Sequence, residues 1–276
     1  MLYLYPGDGC GNRFLLVRES EAVAAGEDVV DLAKRLCAPR YDGLLVLGNP
    51  EAGAQPVRIL NRDGSDGGAC LNGLRVAACF TAADRGRLQM AGRVVEWRRI
   101  SGAVELHLPA CFTDLEVEPL KLSEECQGHA VAFWNPHAVF PFLPSKEEPT
   151  LQEVDLVTFA DRVRDCRERF PTGVNVEVVQ GLGTAQELVM RVEERGVGET
   201  AACGSGALAV AAVAWELGAE DRIGVTMAGG RLEVERGNQG EIRLRGAART
   251  EPGKSLSELL RGGPNPSREK GLGRRQ

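Results

Sequence analysis

Lysine is scarce in this chain. It occurs five times in 276 residues, at Lys34, Lys121, Lys146, Lys254 and Lys270, always in a polar, surface-like context. A pyridoxal phosphate enzyme holds its cofactor as a Schiff base on lysine. No phosphate-cradling loop accompanies any of the five, so chemistry without a cofactor is expected. Long apolar runs are missing too: none approaches the roughly 18 residues that a membrane span needs. The opening MLYLYPGDGCGN lacks the basic region and apolar stretch of a signal peptide, so a cytoplasmic location is expected. A net charge of −6 gives no basic excess to favour nucleic acid or an anionic membrane. The G-x-S-x-G elbow, the G-x-x-x-x-G-K-[ST] loop and the H-E-x-x-H pair are all absent, and no metal site is expected.

Cysteine is plentiful, with Cys10, Cys37, Cys70, Cys79, Cys111, Cys126, Cys166 and Cys203, but no pair has the C-x-x-C spacing of a zinc or redox site. Two of the eight stand apart. Asp63–Phe80 reads DGSDGGACLNGLRVAACF, and Gly198–Leu217 reads GETAACGSGALAVAAVAWEL. Each places a cysteine where a Gly-rich turn becomes an apolar helix. Cys203 follows Cys70 by 133 residues, close to half the chain. Cys10 also lies among glycines, but no apolar helix follows it.

The rest of the chain repeats a pattern around these two points. In the first half, Phe14–Arg18 predicts a strand, 27–38 a helix stopped by Pro39, and 44–47 and 57–60 short strands. The Cys70 helix should run to about Ala83, followed by a hairpin of 93–97 and 104–108. In the second half, 130–133 and 138–140 flank an Asn135-Pro136-His137 turn, 153–168 predicts a helix, and 174–179 and 187–193 predict strands. The Cys203 helix should end near Gly218, before a hairpin of 231–235 and 241–245. The expected fold is α/β with two pseudo-symmetric domains, 1–114 and 115–250. The junction falls near 113–119, and a flexible, Gly/Pro/Arg-rich tail covers 251–276.

Two thiols brought to one cleft suit a particular reaction. Inverting a stereocentre by proton transfer removes a hydrogen from one face and returns one to the other. Two groups on opposite faces do this, one starting as thiolate and the other as thiol. A helix N-terminus lowers a thiol pKa toward working pH, so both Cys70 and Cys203 are expected to ionise readily. Backbone N–H groups at Leu71-Asn72 and Gly204-Ser205 are placed to cradle a carboxylate and stabilise the carbanion. Asn12, Asn61, Asn135 and Asn175 lie at turns or strand ends nearby. Glu194 suits an ammonium, and Arg195 a distal carboxylate in a bidentate fork.

Taken singly, each residue has an ordinary reading. A turn asparagine forms the turn, His137 is a structural hydrogen-bonder, Glu194-Arg195 is a surface ion pair, and Cys70 is a small buried hydrophobe. The joint arrangement favours an amino-acid racemase or epimerase. A binding or redox protein in which Cys70 and Cys203 close a disulfide stays open as the alternative.

The chain resembles the diaminopimelate epimerase family. The resemblance rests on GNRF at 11–14, NRDGSDGGACLNGLR at 61–75, NPHAV at 135–139, GVNVEVV at 173–179 and ERGVGETAACGSGA at 194–207. It implies two α/β domains, each a mixed sheet curled around a central helix, with the active site in the interdomain cleft. It implies pyridoxal-independent interconversion of LL- and meso-diaminopimelate, for lysine and peptidoglycan synthesis. Cys70 and Cys203 match the catalytic thiols, and His137 and Glu194 match residues that tune them. Asn12, Asn61, Asn135, Asn175, Glu194 and Arg195 match substrate-binding positions. The backbone of Leu71-Asn72 and of Gly204-Ser205 matches the carboxylate cradle. A small amino acid is the expected partner, and a homodimer is compatible with the family. Three positions depart from the family pattern: Leu71 stands for Gly, Gly43 for Gln and Arg13 for Asp. The first and second leave room for a racemase of another amino acid.

Overall fold

A computed structural model describes residues 1–109, 115–147, 150–183 and 185–261. The first half contains β1 (Tyr3–Gly9), β2 (Asn12–Arg18), α1 (Glu19–Ala24), α2 (Val29–Leu36), β3 (Gly43–Leu47), β4 (Gln55–Asn61), α3 (Leu71–Phe80), β5 (Arg85–Met90), β6 (Arg93–Ile100) and β7 (Ala103–Leu108). The second contains β8 (Glu116–Lys121), β9 (Gln127–Ala132), β10 (Pro136–Pro141), α4 (Leu156–Arg164), β11 (Asn175–Gln180), β12 (Glu187–Glu194), β13 (Gly198–Thr200), α5 (Gly204–Glu216), β14 (Arg222–Met227), β15 (Gly230–Arg236) and β16 (Ile242–Ala247). The described chain closes with β17 (Arg249–Thr250), β18 (Lys254–Ser255) and α6 (Leu256–Arg261).

The pairing directions repeat. In the first half β1–β2 is antiparallel, β2–β3 parallel, β3–β4 antiparallel, β4–β5 parallel, and β5–β6–β7 antiparallel. The second half runs β9–β10, β10–β11, β11–β12, β12–β14 and β14–β15–β16 in the same sequence of directions. The two sets join where β7 pairs antiparallel with β16, from Ala103 opposite Ala247 to Leu108 opposite Ile242.

Each sheet curls around one apolar helix. In α5 every residue from Gly204 to Trp215 except Ser205 is buried, as expected of a helix apolar on all sides. Leu208, Val210 and Val213 are fully buried, and each contributes roughly 1.5–3 kcal/mol of hydrophobic stabilisation. The first eight residues of α3 are buried likewise.

Three expectations need correction. The Cys70 helix ends at Phe80 rather than Ala83, because Thr81 turns to an extended conformation. The helix expected over 153–168 is a short 3-10 turn, Leu151–Glu153, followed by α4, which Asp155 caps by accepting the Thr158 amide at 3.2 Å. The expected flexible tail is structured as far as Arg261. After β16 the chain returns to the first sheet, where Gly7 pairs with Thr250 and Tyr3 with Ser255. Ser255 then begins α6, exchanging hydrogen bonds with Glu258. Residues 262–276 lie outside the described residues, as do Cys111 and the first residues of the expected junction.

Candidate active site

Cys70 and Cys203 occupy the same place in their helices. Each is the N-cap, with extended backbone at φ −143°, ψ 104° and φ −133°, ψ 114° respectively. Each Sγ accepts the amide three residues on, Gly73 at 3.2 Å and Gly206 at 3.4 Å. Their own amides face methionine sulfur, Met90 Sδ at 3.1 Å and Met227 Sδ at 3.4 Å. Met90 and Met227 end β5 and β14 and open the same Met-Ala-Gly turn. Sequence reasoning missed that repeat, although the tripeptide is there to be found. Both cysteines are free.

The two helix starts abut. A Cβ on Gly204 would lie 2.8 Å from Leu71 Cβ and 3.1 Å from Asn72 Oδ1. Leu71 is only 2% exposed, so most of its surface is covered by protein. Asn72 bridges the halves: its Nδ2 donates to Asn12 Oδ1 and, at 3.1 Å, to the carbonyl of Ala202, which precedes Cys203.

A cleft of about 250 Å³ opens between the helix starts. Asn12, Asn61, Cys70, Leu71, Asn72, Asn135, Asn175, Glu194, Arg195, Cys203, Gly204 and Ser205 all line it. Phe14, Asp42, Ile59, Asp66 and Thr200 are among the other lining residues, and none of them was expected as a site residue. The lining contains no lysine. Among the described residues no group of three or more His, Cys, Asp or Glu could hold a metal ion, and no helix is long and apolar enough to cross a membrane.

Arg195 is anchored at both ends, its amide to Asn175 Oδ1 at 2.9 Å and its Nη1 to the Thr172 carbonyl at 2.5 Å. Gly173 makes room for it, since a Cβ there would lie 2.7 Å from Arg195 Cδ. Asn61 donates to Ser65 Oγ at 3.0 Å. Gly43 is tightly placed: a Cβ would lie 2.6 Å from the Leu60 carbonyl oxygen. Arg13 does not line the cleft; its guanidinium stacks over Tyr41, and its amide donates to Asp42 at 2.8 Å. Cys10 is buried behind the cleft, its Sγ directed at the Ala247 carbonyl at 3.5 Å.

His137 is the exception among the residues singled out. It lies in β10 rather than in a turn and is fully buried outside the cleft lining. Its Nδ1 is 2.7 Å from Glu177 Oε1, and Glu177 is fully buried as well. Glu177 approaches the first turn of α5, because a Cβ on Gly206 would fall 2.8 Å from its Oε1. Sequence reasoning missed Glu177. The available signal was a lone charged residue in NVEVVQ, two positions from Asn175 in a strand whose other neighbours are apolar. Glu194 sits between: Oε1 accepts from Thr200 Oγ1, and Oε2 accepts from the Cys203 thiol at 3.4 Å.

The electrostatics reverse one expectation. The helix N-termini do not bring the thiols down to working pH. Burial pushes Cys70 up to about 11, against the smaller lowering from the Gly73 amide. Burial, then the Glu194 and Glu177 carboxylates, push Cys203 well above the ordinary thiol value. Desolvating a thiolate outweighs one or two amide hydrogen bonds here. Burial raises Glu194 also, its hydrogen bonds from Thr200 and Cys203 offsetting part of the effect.

These shifts bear on stability. Cys37, away from the cleft, is raised by burial to about 12. The folded chain therefore keeps thiol protons that the unfolded chain releases above its ordinary thiol pKa of about 8.5. Their stabilisation is complete below that pH and is lost as pH rises toward 11 and 12. Thermal melting followed from pH 8 to pH 11 should show a falling Tm, and Cys37→Ala should flatten part of the decline. A level profile would contradict this.

A doubly repeated curled-sheet fold with paired thiols at abutting helix starts defines the class: an epimerase-type isomerase. The family model for diaminopimelate epimerase matches residues 130–251. The diaminopimelate epimerase of Moorella thermoacetica is 34% identical over 256 residues, covering 82% of this chain and 88% of that one. The chain belongs to the diaminopimelate epimerase family. Solved structures agree on the fold. A phenazine biosynthesis protein of the PhzF family from Enterococcus faecalis has a TM-score of 0.66 at 15% identity, covering 93% of this chain and 100% of that one. A hydroxyproline epimerase from Agrobacterium vitis, with trans-4-hydroxy-L-proline bound, has a TM-score of 0.62 at 12% identity, covering 92% and 91%.

Proposed function

We propose that this protein interconverts LL- and meso-diaminopimelate without a cofactor, using Cys70 and Cys203 as the two bases. The observation that carries the reading is the pair of N-cap thiols lining one cleft from separate helices. One sulfur, as thiolate, takes the α-hydrogen. The other, as thiol, gives its proton to the opposite face of the carbanion. The reverse reaction exchanges the roles. Amides at Leu71-Asn72 and Gly204-Ser205 face the substrate carboxylate, where charge develops as the α-hydrogen leaves. Asn12, Asn61, Asn135 and Asn175 orient the substrate, Glu194 meets the ammonium and accepts the Cys203 proton, and Arg195 holds the distal carboxylate. His137 acts from behind Glu194, favouring its ionised form. The working unit is two halves, 1–114 and 115–250, with the cleft between them. The reaction serves lysine and peptidoglycan synthesis.

A cleft with raised thiols must favour the reactive state when substrate arrives. The substrate ammonium supplies positive charge beside Glu194, and the helix termini meet the carboxylate. Both changes favour one thiolate over two thiols.

A racemase of another amino acid is the second reading. It rests on Gly43, where a longer side chain facing substrate would be expected from the family and where the Leu60 carbonyl leaves no room for one. Fully reduced protein incubated with LL-diaminopimelate in deuterated water separates the two. Deuterium at one α-carbon with loss of optical purity supports the first reading. Exchange confined to other amino acids supports the second, and no exchange with any amino acid would sink both.

A further inference from the structure

The two halves match strand by strand, and the match isolates one difference. In the first half β2 pairs parallel with β3, Phe14 opposite Gly43 and Leu16 opposite Leu45. In the second half β10 pairs parallel with β11, His137 opposite Asn175 and Val139 opposite Glu177. His137 therefore stands where Phe14 stands, and Glu177 where Leu45 stands. Contacts with the two central helices agree. A Cβ on Gly73, three residues after Cys70, would lie 2.9 Å from Leu45 Cδ2. A Cβ on Gly206, three residues after Cys203, would lie 2.8 Å from Glu177 Oε1 and 3.3 Å from Cys203 Cβ.

The place behind Cys70 is filled by two buried apolar side chains, Phe14 and Leu45. Packing alone therefore does not call for an imidazole and a carboxylate behind Cys203. His137 and Glu177 have no exposed surface, and His137 Nε2 and Glu177 Oε2 have no hydrogen-bond partner among the described residues. Buried polar atoms without partners are costly, and apolar residues of similar volume are often neutral or stabilising in place of a buried pair. A cost that the first half avoids, beside a candidate catalytic thiol, points to a use. His137 Nδ1 lies 2.7 Å from Glu177 Oε1. A carboxylate only accepts, so Nδ1 donates and the ring is held in one orientation.

We propose that Glu177 is a positioning residue for the Cys203 half of the site, holding the His137 imidazole through Nδ1 and seating the start of α5 at Gly206. The inference deepens the two-thiol reading and rests on it. The part taken by His137 behind Glu194, which accepts from the Cys203 thiol at 3.4 Å, needs a ring that does not turn. The apolar pair behind Cys70 is packing, and the polar pair behind Cys203 is a working part of the site.

Two measurements test this. The first needs no substrate. The chain has only three histidines, so nitrogen-labelled histidine gives an NMR spectrum in which His137 is assigned by its loss in His137→Phe. Nδ1 of His137 should be protonated in the unaltered protein and in Glu177→Gln, which keeps an acceptor, and should exchange between tautomers in Glu177→Leu. An unprotonated Nδ1 in the unaltered protein overturns the proposal. The second is turnover of LL-diaminopimelate. Glu177→Leu should lower kcat by about 10–100-fold, the range for removing the partner that orients a histidine. KM should hold, because Glu177 does not line the cleft. Glu177→Gln should regain most of the loss. The double variant Glu177→Leu/His137→Phe copies the pair behind Cys70 and should fold, yet stay as impaired as Glu177→Leu. Near-normal kcat in that double variant, or a glutamine variant as impaired as the leucine variant, would overturn the proposal while leaving the reaction assigned. An inert unaltered protein would instead remove the two-thiol reading and this inference with it. If the double variant does not fold, the comparison of leucine with glutamine decides.

Discussion

Replacing Cys70 or Cys203 by alanine should each lower epimerisation by about 10²–10⁴-fold or more, the share that general acid–base groups contribute. Inversion needs both faces served, so one remaining thiol cannot substitute for its partner. The fold should survive. Each Sγ caps its helix through a single amide hydrogen bond, at 3.2 Å for Cys70 and 3.4 Å for Cys203. Losing a cap typically costs about 1 kcal/mol. Serine variants separate the two roles, because a hydroxyl still caps the helix but is far too weak an acid to exchange roles as a base. The serine and alanine variants should therefore be equally inactive, with the serine variants melting closer to the unaltered protein. Chiral analysis of diaminopimelate turnover checks the first part and calorimetry the second. Near-normal turnover by any one of the four variants would remove that cysteine from the mechanism.

Gly204→Ala should be nearly as damaging through geometry alone. The new methyl would lie 2.8 Å from Leu71 Cβ, an atom attached directly to the backbone that no rotamer change can move. The start of α5 would have to move away from the start of α3, taking Cys203 away from Cys70. A misplacement of about 1 Å in a reacting group can cost about 10²-fold in rate, and that loss is expected here. Overpacking of this kind costs about 1–3 kcal/mol, a fall in Tm of several degrees for a chain of this size. Leu71→Gly removes the opposing Cβ, so the double variant should recover much of both losses. Failure of the second change to rescue would mean that the damage does not arise at the abutting helix starts. The pair also accounts for the Leu71 departure, since a side chain is tolerated there because residue 204 has none.

Much of the site was legible because it is built from local signals. A cysteine between a Gly-rich turn and an apolar run marks a helix start wherever it occurs, and both examples fold that way. The asparagines and Glu194-Arg195 stand at strand ends, and strand ends meet at the cleft. Glu177 gave no such signal. A charged residue within an apolar strand declares only that it is unusual, and its partner lies elsewhere in sequence: His137 is 40 residues from Glu177. The composition of 251–261 is that of a tail, yet β1 offers its strand an open edge.

The amino-acid order alone settled the two Cys-led helices, their shared capping geometry and the repeated order of strands around them, because hydrophobic period and turn chemistry act over a few residues. Tertiary structure decided the charge state of the thiols. Enclosure by both halves removes water from each sulfur, and that desolvation overrides the helix terminus that favours ionisation. It also set the Glu194 carboxylate 3.4 Å from the Cys203 sulfur and brought Glu177, from a distant strand, up to the first turn of the same helix.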